Sequence, residues 1–539
     1  MRRSAVAVTV RAMVGAFCAL LAVTPASGQQ PERWSVLLTR GADTITKERA
    51  TLTATSVVGD LVDKAGGNRL GWLLDRDATG PRRFTLAVRA ATDATNAPTK
   101  QRLDVAFMGD SAIGTVVTGT GTPVTRRVAT KAGAIPYVNP SMVLTELAAR
   151  AALRGSSAVG AVREGTAPLF LLNGVTASIT AKRLGADSLV ITLGSVELRV
   201  RTDADGRMLS GTIPSQGIVI TRGPWLDDAA LEVPTPDYSA PAGAPYTAEE
   251  VRVPTARGYA LAGTLTKPIG VTGRLAVAVT STGSGPQDRD EGIPMFGDYR
   301  LFRSVADTLG RRGIAVLRLD DRGVGASGGD YASATTADFA DDVRSAIGWL
   351  RTRPDVDPAK VYVIGHSEGG IIAPMVAATD PALAGIVLLA GTGKRGRAVL
   401  EFQLRNLILG DTATPLAKRD SALAAVPRML DSIAKSSAWM AFFFDHDPLA
   451  TVRRVRTPAL VLQGATDQQV TPEQAELLGS ALRAGGNRDV TVRVIPKTNH
   501  LMVADANGFP GGYTRLPSMA IRREVLGALA DWIAAHAAR

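Results

Sequence analysis

The chain has 539 residues, which is too long for one ordinary domain, so two or three domains are expected. Hydrophobic residues make up 45% and charged residues 21%, a composition typical of globular rather than disordered proteins. The formal net charge is +11, but the basic residues are scattered among Asp and Glu, without long runs that contain aromatic residues. The composition therefore argues against a nucleic-acid-binding function, and a short cluster such as Arg453 and Arg454 is expected on a solvated face.

The N-terminus has the pattern of an export signal. Arg2 and Arg3 precede a short apolar run at 13–23, and residues 25–28 (Pro-Ala-Ser-Gly) place small residues at a cleavage position. We therefore expect residues 1–28 to be a cleaved signal peptide. The alternative, a transmembrane anchor, is disfavoured because the run is well short of the ~20 apolar residues that span a bilayer.

The only cysteine, Cys18, lies in this leader, so the mature chain is expected to have no disulfide and no cysteine metal site. No later stretch is long and apolar enough to predict an integral membrane segment. An export signal without a disulfide framework predicts a bacterial protein that is periplasmic or secreted.

Residues 29–232 are predicted to form an antiparallel, β-rich domain. The segment is rich in Thr, Val, Gly and Ala, and parts of its second half alternate between apolar and polar residues. The strands predicted from this alternation are 177–181, 188–193 and 196–200. Residues 202–206 end in Asp-Gly, which predicts a hairpin turn, and 142–153 predict a helix. No residue of this domain indicates a chemical role.

Residues 233–249 begin with a stretch dense in Pro, Ala and Gly and are predicted to be a linker. In residues 250–539, apolar strands alternate with helices. The predicted strands are 275–279, 314–319, 361–364, 385–389, 459–462 and 490–494, and the predicted helices are 299–312, 336–351 and 519–536. This alternation predicts a mostly parallel sheet covered by helices on both faces. From about 397 to 448 a helical pattern replaces the strands, which predicts an inserted cap.

Residues 365–369 (Gly-His-Ser-Glu-Gly) match G-x-S-x-G between the strand 361–364 and a helical stretch. A serine on such a sharp turn needs small neighbours, and the turn lifts its hydroxyl above the sheet. Ser367 is therefore the predicted nucleophile, and the Glu368 amide is the predicted first oxyanion donor. An ordinary glycine turn is the alternative, and the position between a strand and a helix disfavours it.

A serine hydroxyl needs a base, and the chain has only four histidines. His500 is the predicted base because it follows the strand 490–494 and should lie at the carboxyl edge of the sheet, level with Ser367. The other histidines are His366 in the turn, His446 in the cap and His536 near the chain end. Asp467 follows the strand 459–462 and is predicted to orient His500. The order Ser, Asp, His is the one expected for such a sheet.

The second oxyanion donor is expected from the loop after the strand 275–279. Gly283 and Gly285 in this loop allow the backbone to approach a substrate closely. The Ser284 amide is the predicted donor, to within one residue. Losing one such donor typically lowers the rate by about 10²–10³.

Several segments are similar to motifs of the bacterial α/β-hydrolases related to serine aminopeptidases and acyl esterases. They are 283–290 (Gly-Ser-Gly-Pro-Gln-Asp-Arg-Asp), 321–327 (Asp-Arg-Gly-Val-Gly-Ala-Ser), 365–370, and the Asp467 and His500 loops. The resemblance covers about residues 250–539 and implies the α/β-hydrolase fold. Thr282 departs from the pattern, because many relatives carry histidine before Gly-Ser-Gly. Backbone donation to an oxyanion does not depend on that side chain.

The leading hypothesis is a serine esterase that cleaves small or moderate acyl esters through an acyl-enzyme. The substrate is expected to be a small-molecule ester or amide, with no metal or other cofactor. A serine peptidase acting on short peptides or amides is the alternative, because the fold and the triad cannot separate the two. A binding protein with a vestigial hydrolase part is a third hypothesis. The motif G-x-G-x-x-G at 391–396 follows a late strand, so a loop into the cap is favoured over a nucleotide site.

The cap has a group of apolar residues that are predicted either to line an acyl site or to pack the cap onto the core. They are Phe402, Leu404, Leu407, Met429, Trp439, Met440, Phe442, Phe443 and Phe444. The sequence leaves both interpretations open.

Overall fold

The computed structural model describes residues 30–539 apart from 42, 65–66, 93–98, 119–120, 155–157, 160–161, 173, 195 and 411–414. The predicted signal peptide, with Cys18, lies outside the described residues. The chain forms two compact units. Of the described residues, the first unit contains those up to Asp63 and those of Arg69–Glu232, and the second contains those of Lys64–Asn68 and Val233–Arg539. None of the helices in the described part of the chain is long and apolar enough to cross a membrane.

The first unit is built on one large, mostly antiparallel sheet. Its described strands are β1 (Glu32–Arg40), β2 (Asp43–Leu52), β3 (Ser56–Asp63), β4 (Asn68–Asp77), β5 (Gly80–Ala90), β6 (Gln101–Met108), β7 (Ser111–Thr118), β8 (Val124–Ala129), β9 (Ile135–Tyr137), β10 (Ala158–Val159), β11 (Val162–Leu171), β12 (Thr176–Arg183), β13 (Ser188–Leu193), β14 (Val196–Thr202), β15 (Met208–Ile213) and β16 (Ile218–Gly223). Its described helices are α1 (Met142–Arg154) and α2 (Asp228–Leu231). Across the sheet, the strands β10 to β16 lie side by side in chain order, β16 pairs with β1, and β1 to β8 follow in chain order. The short strand β9 pairs with β11 in parallel.

Alternating side chains explain why this chain forms a sheet with one buried face. In β14, Leu198 and Val200 are buried while Glu197 and Arg199 are exposed. The predicted hairpin joins β14 to β15, and the Asp203 carboxylate accepts a 2.8 Å hydrogen bond from the Arg207 N–H across its turn. The helix α1 is largely buried and joins the core of this unit. The predicted antiparallel, β-rich fold of this part is confirmed.

The second unit has a mixed sheet that is parallel over most of its width. Its strands are β17 (Tyr246–Pro254), β18 (Ala260–Pro268), β19 (Leu275–Ser281), β20 (Ala315–Leu319), β21 (Val356–His366), β22 (Gly385–Leu389), β23 (Ala459–Gly464) and β24 (Val490–Ile495). The order across the sheet is β17, β18, β20, β19, β21, β22, β23 and β24. In this spatial order, all neighbouring strands from β20 through β19 to β24 are parallel. The strand β18 is antiparallel to both β17 and β20.

Helices cover both faces of this second sheet. They are α3 (Leu301–Gly310), α4 (Thr336–Thr352), α5 (Gly369–Ala377), α6 (Gly396–Gly410), α7 (Leu416–Ala434), α8 (Ala438–Asp445), α9 (Pro448–Val452), α10 (Glu473–Ala484) and α11 (Arg523–Ala537). Residues of α4, α5 and α10 share one apolar core with the sheet, and residues of α3 and α11 share the other. The helices α6 to α8 lie, to within one residue, in the segment of about 397–448 that was predicted to be the cap.

Two boundaries differ from the sequence-based expectations. The strand β17 begins at Tyr246, inside the segment 233–249 that was predicted to be a linker. The last helix begins at Arg523 rather than near Met519, because Ile521 forms a β-bridge with Val503 and holds the preceding chain extended.

The order of the strands places several loops at one edge of the sheet. The chain passes from β19 to β20 on one side and then to β21 on the other side, so the loops after β19 and β21 diverge from a common crevice. Ligands of open α/β sheets bind in such a crevice, at the carboxyl ends of the strands. The loops after β23 and β24 end at the same edge.

Candidate active site

Ser367 lies on a tight turn between β21 and α5, with φ of 53° in the left-handed region. Two glycines make this turn possible. A Cβ on Gly365 would lie 1.9 Å from the carbonyl oxygen of Gly369, and a Cβ on Gly369 would lie 2.1 Å from that of Ser281. The Ser367 N–H donates a 2.9 Å hydrogen bond to the carbonyl of Leu389 in β22. Packing therefore holds the serine in a strained backbone conformation at the carboxyl edge of the sheet.

His500 joins Ser367 to Asp467. Its Nε2 lies 3.1 Å from Ser367 Oγ, and its Nδ1 lies 2.8 Å from Asp467 Oδ2. Because an ionised carboxylate only accepts hydrogen bonds, Nδ1 carries the hydrogen and Nε2 keeps a lone pair towards the serine. The structure thus brings the three predicted side chains together in a geometry suited to proton transfer.

The Asp467 carboxylate is held by more than His500. Its Oδ1 accepts hydrogen bonds from the backbone N–H groups of Gln469 (2.8 Å) and Val470 (2.9 Å). Its Oδ2 also accepts a 2.8 Å hydrogen bond from Gln463 Nε2. These four donors fix the orientation of the carboxylate, which in turn fixes the imidazole.

The two predicted oxyanion donors belong to the turn of the nucleophile and to the loop after β19. Glu368 is the N-cap residue of α5, so its amide lies at the positive end of the helix dipole. The other loop is close, because a Cβ on Gly283 would lie 3.3 Å from Ser367 Cβ. The Gly283 N–H donates to Glu291 Oε1 at 3.0 Å, which leaves the next N–H, that of Ser284, as the candidate. Donation to an oxyanion by Ser284 and Glu368 stays a prediction.

The Glu368 side chain has a role that the sequence did not indicate. Its Oε1 accepts 2.7 Å hydrogen bonds from Thr336 Oγ1, at the start of α4, and from Trp439 Nε1, in the cap helix α8. Burial raises the pKa of Glu368, and the hydrogen bonds from Thr336, Trp439 and the Ser284 side chain oppose that shift. One side chain therefore connects the nucleophile turn to the cap.

His366 also makes contacts that were not predicted. Its side chain is buried and contacts two other loops. Its Nδ1 lies 2.7 Å from Glu291 Oε1, and its Nε2 lies 2.9 Å from the backbone carbonyl oxygen of His500. The partners are 75 and 134 positions away along the chain, so no local pattern could have indicated them.

Thr282 anchors the loop that carries Ser284. Its hydroxyl donates a 2.9 Å hydrogen bond to Asp321 Oδ1, and the Gln287 N–H donates to Asp321 Oδ2 at 2.9 Å. Burial raises the pKa of Asp321 well above its ordinary value. The residue that departs from the family pattern thus ties its loop to the end of β20. Within the described residues, no group of three or more His, Cys, Asp or Glu side chains is placed to hold a metal ion.

The second half of the chain is similar in sequence to known hydrolases. Residues 295–507 match the family described as serine aminopeptidase, S33. The chain is 29% identical to esterase EstD of Thermotoga maritima over 285 residues, which are 51% of this chain and 65% of EstD. It is 24% identical to the uncharacterized peptidase YuxL of Bacillus subtilis over 47% of this chain and 35% of YuxL. The matches therefore span less than two thirds of either relative.

A solved structure, that of the Pyrococcus furiosus esterase Pf2001, is similar at 18% identity with a TM-score of 0.37, covering 56% of this chain and 98% of that chain. The sheet order, the turn at Ser367 and the family match identify the fold of the second unit. It is an α/β-hydrolase fold. The resemblance of this half to bacterial α/β-hydrolases related to serine aminopeptidases and esterases is confirmed.

The cap of the α/β-hydrolase unit divides its apolar residues between two environments. Phe444 is buried with Val426 and Leu430 in a core of the cap itself. Leu404, Met440 and Phe443 pack against that core. By contrast, Phe402, Leu407 and Met429 are exposed by 40%, 56% and 44%. Packing within the cap thus accounts for the first group and not for the exposed group.

The same cap is bonded to the loop of the triad acid. Gln403 Nε2 of α6 donates to the carbonyl of Gln469 at 3.2 Å, and Asn406 Nδ2 donates to Gln468 Oε1 at 3.0 Å. Together with the bond from Trp439 to Glu368, these contacts hold the cap against both sides of the site.

Proposed function

We propose that this protein is a serine hydrolase that cleaves carboxylic esters of small or moderate acyl groups. The observation that carries the proposal is the hydrogen-bonded chain from Ser367 Oγ through His500 to Asp467 Oδ2. The family match and the relationship to esterase EstD support it. Because an activated serine beside backbone N–H donors suits acyl transfer, the site fits this reaction class better than a binding role.

The proposed reaction has two halves. His500 Nε2 takes the proton of Ser367 Oγ as the oxygen attacks the ester carbonyl carbon, and the amides of Glu368 and Ser284 hold the negative oxygen. The carbon–oxygen bond to the leaving group breaks, and His500 gives its proton to the departing alcohol. Water then attacks the acyl-enzyme with His500 as base, which releases the carboxylic acid and restores Ser367.

A peptidase acting on short peptides or amides is the second candidate. The match to the serine aminopeptidase family and to the peptidase YuxL favours it. The same two half-reactions cleave an amide, with an amine in place of the alcohol, so the triad alone does not choose between them.

Parallel assays on p-nitrophenyl acyl esters of increasing chain length and on aminoacyl anilides separate the two candidates. An esterase hydrolyses the esters with much higher kcat/KM, with an optimum at small or moderate acyl length. A peptidase shows the higher kcat/KM on the anilides. Ser367→Ala must abolish whichever activity is found. Activity that persists in this variant would refute the proposed nucleophile.

We further propose export to the periplasm or the medium, on the pattern of residues 1–28. Expression of the full chain in a bacterial host, followed by fractionation and N-terminal sequencing, tests this. A mature N-terminus near Gln29 in the exported fraction is expected. An uncleaved chain that stays in the cytoplasm would contradict it.

A further inference from the structure

A second histidine–carboxylate pair lies beside the triad. His366 and Glu291 are each 2% exposed, and Nδ1 of the one lies 2.7 Å from Oε1 of the other. The His366 ring lies 5.1 Å from that of His500, measured between centroids. Among the described residues, no hydrogen bond joins this pair to the Ser367 hydroxyl, so the proposed reaction gives it no proton to move.

The partners of the pair determine where its protons are. The backbone carbonyl oxygen of His500 can only accept, so Nε2 of His366, 2.9 Å away, carries a hydrogen. Glu291 Oε1 accepts from the Gly283 N–H at 3.0 Å, and as an acceptor it also takes a hydrogen bond from the imidazole. Nδ1 of His366 must then carry a hydrogen as well. The arrangement is that of an imidazolium paired with a carboxylate.

The electrostatic surroundings agree with this assignment. Burial alone would lower the pKa of His366, but the charge and hydrogen bond of Glu291, the His500 carbonyl and the Asp467 carboxylate raise it above its ordinary value. Asp321 after β20 and Tyr299 before α3 also lie near the pair, and burial first and then the Glu291 charge raise the pKa of both. Glu291 itself has φ of 54°, a strained conformation that its surroundings must hold.

We propose that His366 and Glu291 are positioning residues that hold the backbone of the base His500 and the Gly283 turn of the oxyanion loop in register with Ser367. This inference rests on the proposed serine hydrolase function. His366 Nε2 is hydrogen-bonded to the backbone carbonyl of the base His500. Glu291 Oε1 accepts a hydrogen bond from the N–H of Gly283, the residue before the candidate donor Ser284. The pair thereby connects the two groups that must act on one substrate at once.

The positioning role of His366 predicts a loss of activity at high pH. Loss of the Nδ1 hydrogen would leave a lone pair of His366 facing the Glu291 carboxylate, and the two groups would repel each other. Because the pKa of His366 is raised, the aligned state is fully present below the ordinary value of 6.5 and is lost as pH rises through the raised pKa. The kcat of the wild type is therefore expected to fall on the alkaline side.

Kinetics of variants in the full-length protein test the positioning role. His366→Gln is expected to lower kcat by about 10–100-fold with little change in KM, because misplacement of reacting groups affects the chemical step. Glu291→Gln keeps the shape and an oxygen that can accept both hydrogen bonds, but it removes the negative charge that faces His366, so a similar loss is expected. The double variant should lose little more than either single one, because the two act as a unit. Both single variants should lose the alkaline fall in kcat.

The matched control is His536→Gln. His536 also contacts one carbonyl and one carboxylate, with Nδ1 2.8 Å from the Trp532 oxygen and Nε2 3.1 Å from Asp489 Oδ2. It lies in α11, outside the site, so its kcat and pH profile should match those of the wild type. If the kcat of His366→Gln matches that of this control, or if the losses in the double variant simply multiply, the inference is overturned.

A titration of the imidazole groups by ¹⁵N NMR tests the pair without any activity. The chain has only four histidines, and the His366→Gln and His536→Gln variants assign two of them. In the wild type, the pKa of His366 should lie above the ordinary value of 6.5, and Glu291→Gln should lower it. A wild-type value at or below 6.5 would overturn the inference even if the variants fail to fold. The proposed function is tested by a separate result, because it fails only if the wild type hydrolyses neither esters nor anilides.

Discussion

The indole N–H of Trp439, in the cap, donates a 2.7 Å hydrogen bond to the carboxyl of Glu368, the residue that follows the nucleophile. Trp439 also stacks on Phe443 with ring centroids 5.4 Å apart and an angle of 3° between the planes. The cap therefore contacts the turn whose backbone is proposed to hold the oxyanion. Any movement of the cap would change the surroundings of that turn.

Trp439→Phe keeps the aromatic stack and removes only the N–H donor. Because a buried hydrogen bond contributes about 1 kcal/mol, kcat/KM for the longer acyl esters should fall by about three- to tenfold, mostly through KM. The control is Trp349→Phe, near the far end of α4, about 20 Å along that helix from Thr336. Unchanged kinetics in Trp439→Phe, across an ester chain-length series, would show that the cap bond does not shape the site.

Asp467→Asn should lower kcat by about 10⁴-fold with a small effect on folding. An amide nitrogen at the Oδ2 position would face the N–H of His500 Nδ1, so the imidazole would shift its hydrogen to Nε2 and lose its capacity as a base. Steady-state ester hydrolysis measures the loss. Asp489→Asn, which alters the carboxylate beside His536, is the matched control and should keep full activity. Equal activity of the two variants would remove Asp467 from the mechanism.

Gly369→Ala should destabilise the hydrolase unit, because the new Cβ would lie 2.1 Å from the Ser281 carbonyl oxygen. Overpacking of this kind costs about 1–3 kcal/mol, and the displaced turn should also abolish activity. Gly348→Ala is the control. Its Cβ would meet no atom within 4 Å in α4, so it should stabilise the chain by about 0.5–1 kcal/mol. Urea unfolding followed by the helical circular dichroism signal distinguishes the two, and equal midpoints would contradict the account.

The first unit should show a pH-dependent stability that comes from Glu48. This buried carboxyl accepts hydrogen bonds from the Met142 (2.7 Å) and Val143 (3.0 Å) N–H groups at the start of α1. Burial nevertheless raises its pKa from 4.5 to about 7. A raised pKa in the folded state stabilises the fold below the unfolded pKa, and this contribution is lost as pH rises through about 7.

Glu48→Gln should remove that dependence. The amide oxygen can accept from both N–H groups, and its nitrogen can donate to Ser141 Oγ, so the variant should fold. Between about pH 5 and about pH 8, the wild type should lose stability relative to the variant, on the order of 3 kcal/mol. Thermal unfolding of both proteins across this range measures the difference. Parallel pH profiles would show that Glu48 does not titrate in this range.

The sequence indicated the site because each of its side chains follows a strand. Ser367, Asp467 and His500 come after β21, β23 and β24, and parallel strands carry their following loops to one edge. Periodicity also located α4 and β22 to within one residue. Local patterns and chain order were therefore sufficient for these residues.

The remaining features depend on contacts between distant parts of the chain. Trp439 and Glu368 are 71 positions apart, and Glu291 and His366 are 75 apart. Neither pair has a local signature, because burial and geometry arise only when the loops meet. The strand β17 had a visible alternation of buried Val251 and Val253 with exposed Arg252, but its start lay within a segment rich in Pro and Gly. The composition of residues 233–249 therefore predicted a linker where the first residues of β17 lie.

The central claim is that Ser367 is activated by His500. Reaction of the purified full-length protein with a fluorophosphonate, followed by peptide mass mapping, tests it most directly. The account predicts one phosphonylated residue, Ser367, with labelling abolished in Ser367→Ala and strongly slowed in His500→Ala. Labelling at another residue, or undiminished labelling in Ser367→Ala, would contradict it.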